Sequence, residues 1–147
     1  MSEFYISCEL FEEGGEIPKQ CGYNHQNDEP ITGWHNQPKN GKCSAWITDD
    51  PDAMEAVGKV WVHDLGYDNW GAKDDPPQLL VAGKNDFGEI GWGGPAPPDK
   101  PHTYVFKAYV LDVELDLKEG FSKQELEDAM KGHIIAEAKL TGTYAPD

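Results

Sequence analysis

The chain has 147 residues and a formal charge of −15 at pH 7, set by 27 acidic residues against 12 cations that are all lysine. A chain this acidic lacks the basic face that nucleic acid or anionic lipid requires, and no apolar run approaches the roughly 18 residues that cross a bilayer. It therefore reads as a single cytoplasmic domain over 1–147, with no nucleic-acid partner and no transmembrane segment.

Hydrophobic residues make up 38% and aromatics 11%, enough to fill a core although the mean hydropathy is −0.66. Cys8, Cys21 and Cys43 are widely spaced and odd in number, which predicts free thiols, not a zinc cage or a disulfide framework. Dense glycine and proline punctuation leaves short segments between turns, so the chain reads as mainly β.

In chain order, Cys43 to Thr48 is the first clear strand and stops at the acidic turn Asp49-Asp50-Pro51-Asp52. Lys59 to Tyr67 alternates with period two, which places Trp61, His63, Leu65 and Tyr67 on one face and Val60, Val62 and Asp64 on the other. Gly83 to Pro101 is a glycine- and proline-rich loop, and a loop of that length inside a small domain is usually functional. Tyr104 to Val113 is apolar on both faces, the signature of a central strand. Ser122 and Glu125 form a capping box, and Phe121 with Leu126 fits a hydrophobic staple, which predicts a helix over 122–132 ending at Gly132. A last strand follows from about His133 to Leu140.

The common catalytic templates are absent: no Gly-x-Ser-x-Gly, no His-Glu-x-x-His, no phosphate loop and no dinucleotide fingerprint. What remains is polar residues beside structural punctuation. Pro51 fixes a turn that holds Asp50 and Asp52 close together. His63 lies mid-strand among aromatics, a setting that suits a core histidine as well as a ligand-binding one. His102 and Tyr104 share a strand face directly after a stiff proline loop, a plausible oxyanion receptor.

Taken in order, these pieces resemble the phosphatidylethanolamine-binding protein family, also called the Raf kinase inhibitor protein family, in its short bacterial and archaeal form. The resemblance runs through Gly15-Glu16-Ile17-Pro18, Cys21-Gly22, Pro30-Ile31-Thr32-Gly33-Trp34, Asp49-Asp50-Pro51-Asp52-Ala53 and Trp61-Val62-His63. It continues through Asn85-Asp86-Phe87-Gly88, Gly91 to Pro98, His102-Thr103-Tyr104 and the close from Gly132 to Tyr144. It implies a β-sandwich of two antiparallel sheets with a few peripheral helices, and a small pocket for phosphate and phosphoethanolamine headgroups. Carried over by position, that pocket comprises Asp50, His63, Pro97, Pro98, His102 and Tyr104, with Asp52 behind it and Gly94, Ala96 and Tyr144 on neighbouring motif positions. The family's use as a regulator implies a kinase or protease partner, and its short members imply a homodimer.

Three positions depart from the family pattern. Thr103 stands where an arginine is usual, Met54 where a proline is, and Asp64 where an aromatic is; strict alternation would put the Asp64 charge on the face away from His63. Both pocket histidines are expected to take protons when a phosphate dianion binds, so that binding tightens toward about pH 6. The other class the residues allow is a small hydrolase that uses a pocket histidine and Asp50 as an acid–base pair. No activated nucleophile is visible, so no catalytic residue, cofactor or metal ligand is assigned.

Overall fold

A computed structural model describes residues 3–70 and 80–147. Eight strands form the architecture: β1 (Tyr5–Cys8), β2 (Gly15–Glu16), β3 (Thr32–His35), β4 (Cys43–Asp50), β5 (Trp61–Asn69), β6 (Val81–Ala82), β7 (His102–Leu111) and β8 (Ile134–Tyr144). Among the described residues two α-helices accompany them, α1 (Ala53–Val57) and α2 (Lys123–Met130), with a 3-10 turn at Lys19–Cys21. A six-stranded sheet runs in the order β2-β8-β7-β4-β5-β6, and β1 pairs with β3 in a second, two-stranded sheet. The ladders are antiparallel except the two-residue β2–β8 pair, which is parallel.

The predicted strands all form, with shifted ends. Asp49 and Asp50 belong to β4 and not to a turn, and β8 continues to Tyr144 as the full-length partner of β7. The apolar character of both β7 faces follows from its central place between β4 and β8. On one face, Tyr104, Phe106 and Ala108 meet Ile6, Phe11, Ile17 and Leu140 beneath the small sheet. On the other, Ala45, Ile47, Leu65, Tyr67 and Leu111 meet Phe121, Leu126 and Met130 beneath α2. Trimming the fully buried Leu126 to alanine would cost about 2–5 kcal/mol, because the cavity left in a packed core does not collapse.

The capping box forms in both directions. Ser122 Oγ accepts from the Glu125 N–H, and the Glu125 carboxylate accepts from the Ser122 N–H. Phe121 and Leu126 sit together in the core as the staple predicts. The sequence reading did not anticipate α1, a five-residue helix that begins immediately after the Asp50-Pro51-Asp52 corner. Cys8, Cys21 and Cys43 are free, with Cys21 and Cys43 buried. No described helix is long and apolar enough to cross a membrane.

β5 corrects the strict alternation. Thr48 pairs with Asp64 but Asp49 pairs with Val62, so His63 is the extra residue of a β-bulge. The bulge shifts the pattern by one residue. Val62 joins Leu65 and Tyr67 in the core beneath α2, whereas Trp61, opposite Asp50, turns to the other face. His63 and Asp64 then lie on the same sheet face, His63 against Tyr104 and Asp64 in a cavity floored by Phe106 and Ala108.

Candidate functional site

The bulge exists because a loop docks where regular pairing stops. The Val62 N–H donates to Asp86 Oδ2 (2.7 Å), and the Asp86 N–H donates to the Val62 carbonyl (2.9 Å). The next residue is clamped likewise: the Gly93 N–H donates to the His63 carbonyl, and His63 Nδ1 donates to the Gly93 carbonyl, both at 2.7 Å. Asn85 folds the loop between them; its Oδ1 accepts from the N–H groups of Phe87 and Glu89, and its Nδ2 donates to the Gly91 carbonyl. The glycine-rich stretch is therefore an ordered wall, tied to the strand that carries His63.

A pocket of about 180 Å3 opens between this loop, α1 and the ends of β4, β5 and β7. Asp50, His63, Ala96, Pro97, Pro98, His102 and Tyr104 all line it, together with Trp61 and Phe87 and with Ala53, Ala56 and Val57 from the α1 segment. The remaining three expected residues do not line it. Asp52 stands behind, its Oδ2 accepting the Thr103 N–H at 2.8 Å and so fixing the turn against the start of β7. Gly94 gives its N–H to Asn27 Oδ1 (2.7 Å), and a Cβ there would lie 1.9 Å from the Cys21 carbonyl oxygen, so glycine is required for packing. Tyr144 is core, its hydroxyl donating to the Lys19 carbonyl at 3.3 Å.

The two histidines differ. His102 is held at both ends, Nδ1 donating to Asp50 Oδ2 at 2.6 Å and Nε2 to Asp99 Oδ1 at 2.7 Å. Burial alone would lower its pKa, but the two carboxylates outweigh that and raise it. Only the imidazolium makes hydrogen bonds to two ionised carboxylates at once. His63 is pushed down to about 4, because burial outweighs the Gly93 and Gly94 carbonyls. With Nδ1–H committed to Gly93, its Nε2 is a bare lone pair at neutral pH.

Three polar atoms on the pocket wall are buried without a partner among the described residues: Asp50 Oδ1, Trp61 Nε1 and the Tyr104 hydroxyl. Leaving each unmade costs about 1–3 kcal/mol, and all three belong to residues that line this one pocket. Trp61 and Asp99 were not singled out from the sequence. Trp61 had a signal in its place two residues before His63, but Asp99 had none, because its contact depends on how the proline loop turns back.

The class is a two-sheet β-sandwich with a small pocket at its strand ends, walled by a proline loop and furnished with paired carboxylates and histidines. A family model described as phosphatidylethanolamine-binding protein matches residues 8–145. Over 146 residues, 95% of the chain, it is 38% identical to a UPF0098 protein of Methanothermobacter thermautotrophicus, 97% of which is covered. A UPF0098 protein of Chlamydia trachomatis is 36% identical over 148 residues, 97% of this chain and 99% of that one. Among solved structures, a putative phosphatidylethanolamine-binding protein homologue from Chlamydia trachomatis superposes with a TM-score of 0.86 at 35% identity, covering 100% of both chains. E. coli YbcL, called a new member of the mammalian family, gives 0.84 at 26% identity, covering 99% of this chain and 100% of that one.

The chain belongs to the phosphatidylethanolamine-binding protein family, in its short bacterial and archaeal form.

Proposed function

We propose that the protein is a non-catalytic binding module for small phosphate-type anions and phosphoethanolamine headgroups, used to regulate partners that carry phosphate. The observation that carries this reading is the convergence of Asp50 Oδ1, Trp61 Nε1 and the Tyr104 hydroxyl, all unpartnered, on one pocket. Two are donors suited to phosphate oxygens, and the third is an acceptor suited to an ammonium, so both ends of phosphoethanolamine are addressed. About 180 Å3 suits a headgroup or a phosphorylated side chain and leaves acyl chains outside. The acid–base reading is disfavoured because both His102 nitrogens are already bound to carboxylates and, among the described residues, no Ser, Thr or Cys lines the pocket.

The proton economy changes with the geometry. His102 is charged before ligand arrives, so proton uptake falls on His63 Nε2, or the phosphate enters as its monoanion and donates to that lone pair. Either route tightens binding as pH falls from about 7 to about 6, the same direction as the sequence reading but with one histidine responding instead of two. An NMR titration with inorganic phosphate and with phosphoethanolamine tests this. The expected result is a large His63 imidazole shift with proton uptake, a small His102 shift, and tighter binding of phosphoethanolamine. Silence of His63 and Tyr104 at millimolar ligand would overturn the assignment.

A further inference from the structure

On the same sheet face as the anion pocket lies a second cavity, of about 310 Å3, between β3 with its preceding loop and strands β4, β5 and β7. Trp34, Trp46 and Trp92 form aromatic walls, with Trp92 stacked on Phe106. Asp64, placed here by the bulge, is only 6% exposed. Among the described residues it makes no ion pair, and its donors are the Leu65 N–H and the Trp46 indole. The charges around it are otherwise negative: Glu29 at the exposed rim and Asp68 further along β5. Among the described residues the one cation at the boundary is Lys107, which turns its ammonium to Asp49 at 2.8 Å. Asp49 belongs to the opposite sheet face, where Lys123 also binds it. An aromatic cavity with a buried carboxyl and a negative rim suits a positive guest.

A metal ion does not fit: among the described residues no three His, Cys, Asp or Glu side chains gather closely enough to hold one. An organic cation does, because indole faces attract a diffuse positive charge and shed little hydration in doing so. We propose that this cavity is a second ligand site that takes a small organic ammonium ion, its charge against Asp64 and its carbon shell against Trp34, Trp46 and Trp92. The site is independent of the anion pocket, and the chain's charge of −15 enriches cations around it.

Burial and the neighbouring Glu29 hold the Asp64 carboxyl up at about 7. Asp68 on the same strand adds negative charge, whereas Trp46 and Thr48 of β4, Trp34 of β3 and Phe106 of β7 bring no charge of their own. A cation therefore displaces a proton from Asp64 on binding, and its affinity rises with pH.

The test is a titration with choline and with n-butylammonium, followed by tryptophan fluorescence and calorimetry at pH 6, 7 and 8 in physiological salt. Saturable binding is expected, tightening by about tenfold from pH 6 to pH 8 as Asp64 ionises. Asp64→Asn should weaken it by about tenfold and abolish the pH dependence, and the rim variant Glu29→Gln should weaken it less. Phosphate titration of His63 reports whether each variant keeps its fold and its other pocket. If Asp64→Asn does not fold, loss of affinity in Glu29→Gln together with the wild-type pH slope decides in its place. The proposal is overturned if neither ammonium saturates, if the neutral isostere 3,3-dimethylbutan-1-ol binds as tightly as choline, or if folded Asp64→Asn binds as the wild type does.

Discussion

Asp50 and Asp64 are carboxylates on adjacent strands of one sheet, on the same face and almost equally buried, at 3% and 6% exposure. Burial pushes both toward the neutral acid, but the countermeasures differ. The His102 imidazolium holds Asp50 at 2.6 Å and partly offsets its desolvation. Asp64 has no cation among the described residues and is held up at about 7. A buried carboxylate is neutralised by a partner or by a proton, and on the readings proposed above that choice separates an anion pocket from a cation cavity.

The sharpest way to break this comparison is His102→Ala. It leaves Asp50 buried without its cation and frees Asp99, so unfolding free energy at pH 7 should fall by about 3–5 kcal/mol in urea melts. A loss below about 1 kcal/mol would mean that Asp50, like Asp64, is neutralised by a proton, and the contrast would collapse.

Asp64→Asn should do the opposite. A folded pKa near 7 against 3.8 in the unfolded chain means that the folded state binds more protons between those values, so stability falls as pH rises through that window. The shift corresponds to on the order of 4 kcal/mol above pH 7, of which the asparagine should recover about 3 after the cost of burying an amide. His63 runs in the other direction: lowered from 6.5 to about 4, it withdraws stability as pH falls across that range. Thermal melts of Asp64→Asn should therefore lose the decline that rising pH brings between about 3.8 and 7, and keep the decline that falling pH brings between 6.5 and about 4.

Tyr104→Phe separates stability from binding. Its hydroxyl is buried without a partner, so its removal should leave stability unchanged or raise it by up to about 1 kcal/mol. If that hydroxyl holds a phosphate oxygen, the same change should weaken phosphate binding by about 2 kcal/mol in calorimetry. Loss of both would make Tyr104 a packing residue only.

The period-two and capping signals sufficed for the strands, the central place of β7 and α2, because those patterns report burial on regular elements. Motif order placed Asp50, His63, Pro97, Pro98, His102 and Tyr104 on one wall, since each sits at a strand end or a rigid turn. The bulge at His63 was not legible: alternation assumes an unbroken ladder, and the docking loop that breaks it lies over twenty residues away. The same slip sent Asp64 to the wrong face and hid the tryptophan cavity, whose walls come from distant segments with no common spacing. Asp52, Gly94 and Tyr144 follow the family's motif positions, but here their contacts go to backbone and core.

Asp99→Asn carries the smallest expected effect and sharpens the comparison most finely. Asp99 is substantially exposed, at 40%, so solvent already screens its bond to His102, and global stability should change far less than in His102→Ala or Asp64→Asn. Its charge nevertheless sits on the His102 nitrogen that an entering anion would seek. Removing that charge should lower the His102 pKa, since one of its two carboxylates is gone, while phosphate affinity rises because a negative group no longer competes for Nε2. NMR titration of His102 gives the first quantity and calorimetry the second. A lower pKa without tighter phosphate binding would mean that Asp99 serves only to keep His102 charged for Asp50, and that the anion is held by Tyr104, Trp61 and His63 alone.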